Sequence, residues 1–247
     1  AGAQVLYTCT FTCSPFYEKA ALVPELNRRL CALTRQLEGD FLVAGDLATA
    51  GRGDYSYAAL LEGYRVQVRA LWEAGCDFLV AETLMGQQEA LAVLEAARSV
   101  CDLPVLCTFS AESDGALYFG GDLLETVQAL EALGVDAVGL NCGSGPAQMA
   151  HLARLLRAHT QLPLTFKPNA GLPTLDAQGQ AVYSMDPQQF AAAMRPLLPF
   201  GDAFGGCCGT TPAHLAALQA LLRREGRLPG AARADEAAKN PGKSVEK

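Results

Sequence analysis

Cys207 and Cys208 stand side by side in Gly205-Gly206-Cys207-Cys208-Gly209-Thr210-Thr211-Pro212, and Cys142 closes the earlier run Val138-Gly139-Leu140-Asn141-Cys142. Thiolates bind zinc at about 2.3 Å in tetrahedral geometry, and three protein ligands leave the fourth position open to water or substrate. Both segments pass from an apolar run into a helix-start signal. They therefore read as carboxyl ends of strands entering loops, where barrel enzymes carry their chemistry. The surrounding glycines free the backbone enough for neighbouring cysteines to turn toward one centre. Spacing alone leaves two other readings open: small buried residues, or a strained redox pair.

The elements that would position these sulfurs alternate regularly. Strand-like runs fall at Gln4 to Thr8, Phe41 to Ala44, Asp77 to Ala81, Pro104 to Phe109, Asp136 to Leu140, Leu162 to Phe166 and Asp202 to Gly205. Helical spacing of apolar residues covers Tyr57 to Ala74, Gln87 to Val100, Leu123 to Leu133, Ala147 to His159, Pro187 to Leu198 and Pro212 to Arg224. The joints Ala74-Gly75-Cys76-Asp77, Leu133-Gly134-Val135-Asp136 and Phe200-Gly201-Asp202 repeat a helix-stop theme in which Gly takes a left-handed turn. Strand then helix, repeated, means a parallel sheet. Polar residues ending many strands favour a barrel over an open doubly wound sheet. The expectation is a (β/α)8 TIM-type barrel over residues 1–226, lacking its first strand–helix unit because Ala1-Gly2-Ala3-Gln4 resembles an interior joint. Residues 227–247, rich in Ala, Gly, Pro and Lys, read as a flexible tail or linker.

With 247 residues, half of them hydrophobic, the chain can bury one substantial core. A formal charge of −7 argues against nucleic acid or an anionic membrane as partner. No run approaches the roughly 20 apolar residues of a membrane span. Nine irregularly spaced cysteines suggest reduced thiols and a cytoplasmic setting rather than a disulfide framework.

Gly139-Leu140-Asn141-Cys142 and Gly205-Gly206-Cys207-Cys208-Gly209-Thr210-Thr211-Pro212-Ala213-His214 resemble the Gly-x-Asn-Cys and Gly-Gly-Cys-Cys-Gly-Thr signatures of the homocysteine S-methyltransferase family. Thr8-Cys9-Thr10-Phe11, Ala81-Glu82-Thr83 and Pro168-Asn169-Ala170-Gly171-Leu172-Pro173 extend the resemblance, which spans Ala1 to about Leu222. It implies that Cys142, Cys207 and Cys208 hold zinc and that the thiol of homocysteine becomes the fourth ligand, to be methylated to methionine. It also implies a substrate-binding carboxylate at Glu82, which by itself reads equally as an acid at the start of a helix. Asn141, Thr8 and Thr10 are further candidates for substrate binding, against bland readings as a turn amide and strand-packing hydroxyls. Asn169 and Gly171, with Pro173, are expected to shape a loop on the donor side.

His214 reads as a surface or supporting residue, His151 and His159 as solvent-facing, and the remaining six cysteines as ordinary core or surface residues. Lys167 stays unassigned between a carboxylate partner and a solvated rim lysine. The resemblance allows methyl-cobalamin, S-methylmethionine, S-adenosylmethionine or betaine as methyl donor. Alternative readings are the homocysteine-binding module of a larger cobalamin-dependent methionine synthase, a non-catalytic thiol and amino-acid binding barrel, and a Cys207-Cys208 redox switch. The Asp-Gly motif on the family's first strand has no counterpart ahead of Ala1, which points to a fragment or a weaker substrate pocket.

Overall fold

The structure, a computed structural model, describes residues 2–228. Its strands are β1 Val5–Tyr7, β2 Leu42–Ala48, β3 Phe78–Leu84, β4 Val105–Phe109, β5 Ala137–Asn141, β6 Leu164–Lys167, β7 Pro173–Leu175, β8 Ala181–Tyr183 and β9 Ala203–Phe204. Its helices are α1 Val23–Arg35, α2 Tyr57–Glu73, α3 Gln87–Val100, α4 Leu123–Ala132, α5 Pro146–His159, α6 Pro187–Ala193 and α7 Pro212–Arg224. Seven strands form one parallel sheet in the order β1-β2-β3-β4-β5-β6-β9, each beside its predecessor. A doubly wound sheet reverses its strand order part-way; this one never does.

The sheet is strongly curled. Six flat strands would hold β1 and β6 about 24 Å apart at the usual spacing, yet Lys167 Nζ on β6 lies 2.7 Å from the Tyr7 hydroxyl on β1. Gln219 on α7 also donates to the Gly2 carbonyl at 2.8 Å, tying the last helix to the first described residues. The architecture is a TIM-type barrel in which the described residues provide seven of the eight strand positions.

Side chains alternate along each strand between the helix layer and the barrel interior. Leu47, Leu79, Phe109, Leu140 and Phe166 face outward into the main core beneath the helices. Ala44, Val80 and Leu106 form a small interior cluster with Tyr7, Phe78 and Ala137. One alternation further toward the carboxyl ends, the interior turns polar with Asp46, Glu82 and Thr108, joined by Asn141 and Lys167. All but Glu82 are buried to below a tenth of their surface.

The repeated joints do more than stop helices. Gly75 and Gly134 take the expected left-handed turn, at φ 81° and 80°. Gly201 does not; there the missing side chain matters, since a Cβ would lie 2.7 Å from the rings of Phe166 and Phe204. The aspartates that follow are strand staples. Asp77 accepts from Val43 N at 2.6 Å and pairs with Arg35; Asp136 accepts from Val105 N at 2.7 Å and pairs with Arg98; Asp202 accepts from Leu164 N at 2.9 Å and pairs with Arg157. Each ties the start of one strand to the start of the strand before it and to the helix before that.

Several boundaries differ from the sequence reading. β2 continues four residues past Ala44, bringing Asp46 into the barrel interior. Helix α1 was not anticipated, because its buried face carries Asn27, Cys31 and Thr34 beside Val23 and so lacks an apolar stripe. The β7–β8 hairpin between β6 and α6 has no counterpart among the expected strands, and Pro173, expected in a loop, begins β7. The expected helix to Leu198 stops at Ala193 and continues as a 3-10 turn over Arg195–Leu197, where Pro196 has no N–H to extend the ladder. Residues 229–247, most of the expected tail, lie outside the described residues. No described helix is long and apolar enough to cross a membrane.

Candidate metal centre and barrel mouth

The Sγ atoms of Cys142, Cys207 and Cys208 lie within 4.8 Å of one another at the carboxyl end of the barrel. Cys142 and Cys208 are 3.8 Å apart, Cys207 and Cys208 4.0 Å. Ligands at 2.3 Å and tetrahedral angles stand about 3.8 Å apart, so the donor set and its spacing fit a zinc-sized ion. Three thiolates this close repel one another, and a divalent ion bound among them would stabilise all three.

The backbone delivers these sulfurs by strained turns and one shared strap. Cys142 and Gly143 adopt successive left-handed conformations, φ 58° and 65°, which turn the chain sharply off β5. Residues 168–170 are laced to both cysteine loops: Cys207 N donates to Pro168 O at 2.9 Å, Asn169 N to Ser144 O at 3.0 Å, and Ala170 N to Cys208 O at 2.9 Å. The Asn169 side chain accepts from Cys208 N at 3.1 Å. Asn169, expected beside the donor, is thus engaged in holding the Cys208 loop. Gly171, at φ 93°, packs against Ser184 and Met185, where a Cβ would be tight.

Asn141 is fully buried, and its amide is committed to protein. Its oxygen accepts from Thr83 N and from the Thr108 hydroxyl, both at 2.8 Å; its nitrogen donates to the Thr83 hydroxyl at 2.7 Å and points at Cys207 Sγ at 3.8 Å. These bonds fix Thr83 at φ 58°, inside the irregularity that ends β3, and steer one sulfur. Thr8 and Thr10 are also committed: their hydroxyls are 2.7 Å apart, and they bind the backbone N and O of Asp46 at 3.0 and 2.6 Å.

Glu82 does face the mouth. Its Oε2 lies 2.5 Å from Lys167 Nζ, whose third neighbour is the Tyr7 ring at 4.2 Å. Burial alone would lower the lysine's proton affinity, but Tyr7 and Glu82 outweigh it and raise it, so the ammonium stays charged. Lys167 is therefore a buried ion-pair partner and not a solvated rim lysine. Asp46 and Tyr7, which the sequence reading passed over, belong to the same cluster. Burial first, then the Glu82 charge, hold the Asp46 carboxyl well above the ordinary carboxylate range, and its Oδ1 has no hydrogen-bond partner.

Tyr183, on the unanticipated hairpin, packs against Gly209, just after Cys207-Cys208. A Cβ on Gly209 would strike its ring, and burial together with the Cys208 sulfur pushes its hydroxyl up to about 12. The strand formers Thr174, Val182 and Tyr183 on either side of Asp176 and Gly179 are the available signal for this hairpin. His214 is buried and structural: it accepts from Thr211 N at 3.1 Å, so its other nitrogen donates to Met185 O at 2.9 Å. Beside Cys142 opens a cavity of about 430 Å³, lined by Arg52, Met85, Tyr118 and Phe119 among others. Cys13, Cys31, Cys76, Cys101 and Cys107 are buried away from this cluster, and Cys9 is exposed.

The sequence profile of homocysteine S-methyltransferases matches residues 1–222. This chain belongs to the homocysteine S-methyltransferase family. Among family relatives, the methionine synthase of Mycobacterium tuberculosis is 32% identical over 90% of the chain, and that of Mycobacterium leprae 31% identical over 93%. The chain spans about a fifth of the length of these synthases, 20% and 21%. The metallated form of the homocysteine methyltransferase MmuM from Escherichia coli superposes with a TM-score of 0.75 at 28% identity, covering 89% of this chain and 80% of MmuM. The barrel is thus one of the homocysteine S-methyltransferase family, and its three converging cysteines could hold a metal ion.

Proposed function

We propose that this barrel transfers a methyl group to the thiol of homocysteine, giving methionine, with zinc held by Cys142, Cys207 and Cys208. The observation that carries the reading is the convergence of three sulfurs, from two loops, at the separations of a tetrahedral thiolate site. Zinc, when bound, would hold the substrate thiol as a nucleophilic thiolate at neutral pH.

The chain's own residues contribute orientation and charge. Asn141 aims one cysteine and holds Thr83; the strap at 168–170 fixes the distance between the two cysteine loops. Glu82, anchored by Lys167, offers a carboxylate to the α-ammonium of the amino acid. The substrate thiol proton leaves to solvent. Sulfur then forms a bond to the methyl carbon as that carbon's bond to the donor breaks, its electron pair departing with the donor. No protein general base is needed.

The methyl donor would approach the open side of Cys142, beside the cavity walled by Tyr118 and Phe119. Nine unpaired cysteines support a reducing, cytoplasmic setting. The test is methionine formation from L-homocysteine with methyl-cobalamin, S-methylmethionine, S-adenosylmethionine and betaine supplied in turn. Zinc-dependent product with one of them supports the reading; zinc-loaded protein that neither binds homocysteine nor methylates it with any donor overturns it.

A further inference from the structure

Asp46 is a carboxyl group with no evident structural task. It is 3% exposed, and Oδ1 has no hydrogen-bond partner among the described residues. The backbone of Asp46 is held firmly, by Thr8 and Thr10 through its N and O, while the side chain is left without an equivalent anchor. A buried acid in that condition is costly unless a ligand supplies its partner.

Its position says which ligand. Asp46 follows Ala44 by one alternation on β2, as Glu82 follows Val80 on β3, and Ala44 and Val80 share the barrel interior. The charged or titratable groups acting on it are Glu82, Lys167 and Cys207. Tyr7 and Cys9 on and after β1 feel its charge in turn. Two acids and one ammonium in the barrel mouth can accommodate a second cation, and Lys167 is already engaged by Glu82 and Tyr7.

From this geometry we infer that Asp46 is a second acceptor for the α-ammonium of the amino-acid thiol, acting with Glu82 to distinguish an α-amino acid from a simple mercaptan. This rests on the proposed homocysteine reading and adds a residue to it. The arriving ammonium supplies the partner that Oδ1 lacks, and its charge favours ionised Asp46. Asp46 would then shed a proton as substrate binds.

The experiment compares L-homocysteine with 4-mercaptobutanoate, the same chain without the amino group, on cobalt-substituted protein. The thiolate-to-cobalt absorption band reports binding without turnover. For Asp46→Asn, the inference expects the L-homocysteine dissociation constant to rise by about tenfold or more and that of 4-mercaptobutanoate to stay within about twofold. Equal weakening of both ligands, or of neither, overturns it. Should Asp46→Asn fail to fold, calorimetry on the wild type in buffers of different ionisation enthalpy decides. L-homocysteine should release about one more proton than 4-mercaptobutanoate, and equal release overturns the inference. A wild type whose cobalt band responds to neither thiol sinks the homocysteine reading itself, an outcome distinct from failure of Asp46 alone.

Discussion

The Lys167 ammonium on β6 meets the Glu82 carboxylate on β3 at 2.5 Å, with side-chain exposures of 9% and 15%. The pair spans the mouth between strands that are not neighbours in the sheet. A buried pair of this kind loses heavily when only one partner is removed, because the survivor keeps its charge without compensation. Lys167→Met should therefore lower unfolding free energy by about 3 kcal/mol, measured by urea titration. Lys167→Met with Glu82→Gln should recover part of that loss, since no charge is then stranded.

Asn141→Leu should be destabilising despite similar bulk. It strands the Thr83 N–H and the Thr108 hydroxyl in a fully buried setting, at about 1–3 kcal/mol each. Metal affinity should fall by roughly tenfold or more, as when other supports of metal ligands are lost. Competition with a zinc-binding dye checks the second effect and denaturant melts the first.

The Asp136 carboxylate caps the Val105 N–H at the barrel's amino end, at the opposite end of β5 from Cys142. Asp136→Ala should cost about 2 kcal/mol by leaving that N–H unpaired while zinc stoichiometry remains unchanged. A fall in bound zinc in still-folded protein would contradict the separation of scaffold and site.

Asp77 gives the scaffold a pH signature. Its hydrogen bond with Arg35 holds the carboxyl below the ordinary range. The resulting stabilisation is complete above the unfolded-state value of about 3.9 and disappears as pH falls through the lower folded-state value. Melting temperature should drop more steeply below pH 4 in wild type than in Asp77→Asn, which has already lost the contribution at neutral pH.

Much of this was legible in the sequence because it rests on periodicity and on chemistry that few other patterns satisfy. Alternating strand and helix runs located all seven barrel strands, and the Gly-rich Cys207-Cys208 turn with Cys142 named the three converging sulfurs. What escaped notice has physical causes. Gly45-Asp46 looks unlike a strand, yet Gly45 is where a Cβ would meet Cys76 Sγ at 2.8 Å and Asp46 faces a polar interior. Helix α1 buries Asn27, which donates to Cys13 O and Val23 O, so its inward face is polar. Thr8 and Thr10 are buried, and which way their hydroxyls bond depends on the backbone of Asp46, 36 residues from Thr10. Local pattern carries no such information.

The central claim is that Cys142, Cys207 and Cys208 hold one ion whose remaining position takes the homocysteine sulfur. Zinc K-edge X-ray absorption on the purified protein, with and without L-homocysteine, tests it most directly. The account predicts three sulfur neighbours at about 2.3 Å with one lighter ligand, becoming four sulfurs on addition of the amino acid. Zinc that never associates with the chain, or a sulfur count that homocysteine leaves unchanged, would contradict it.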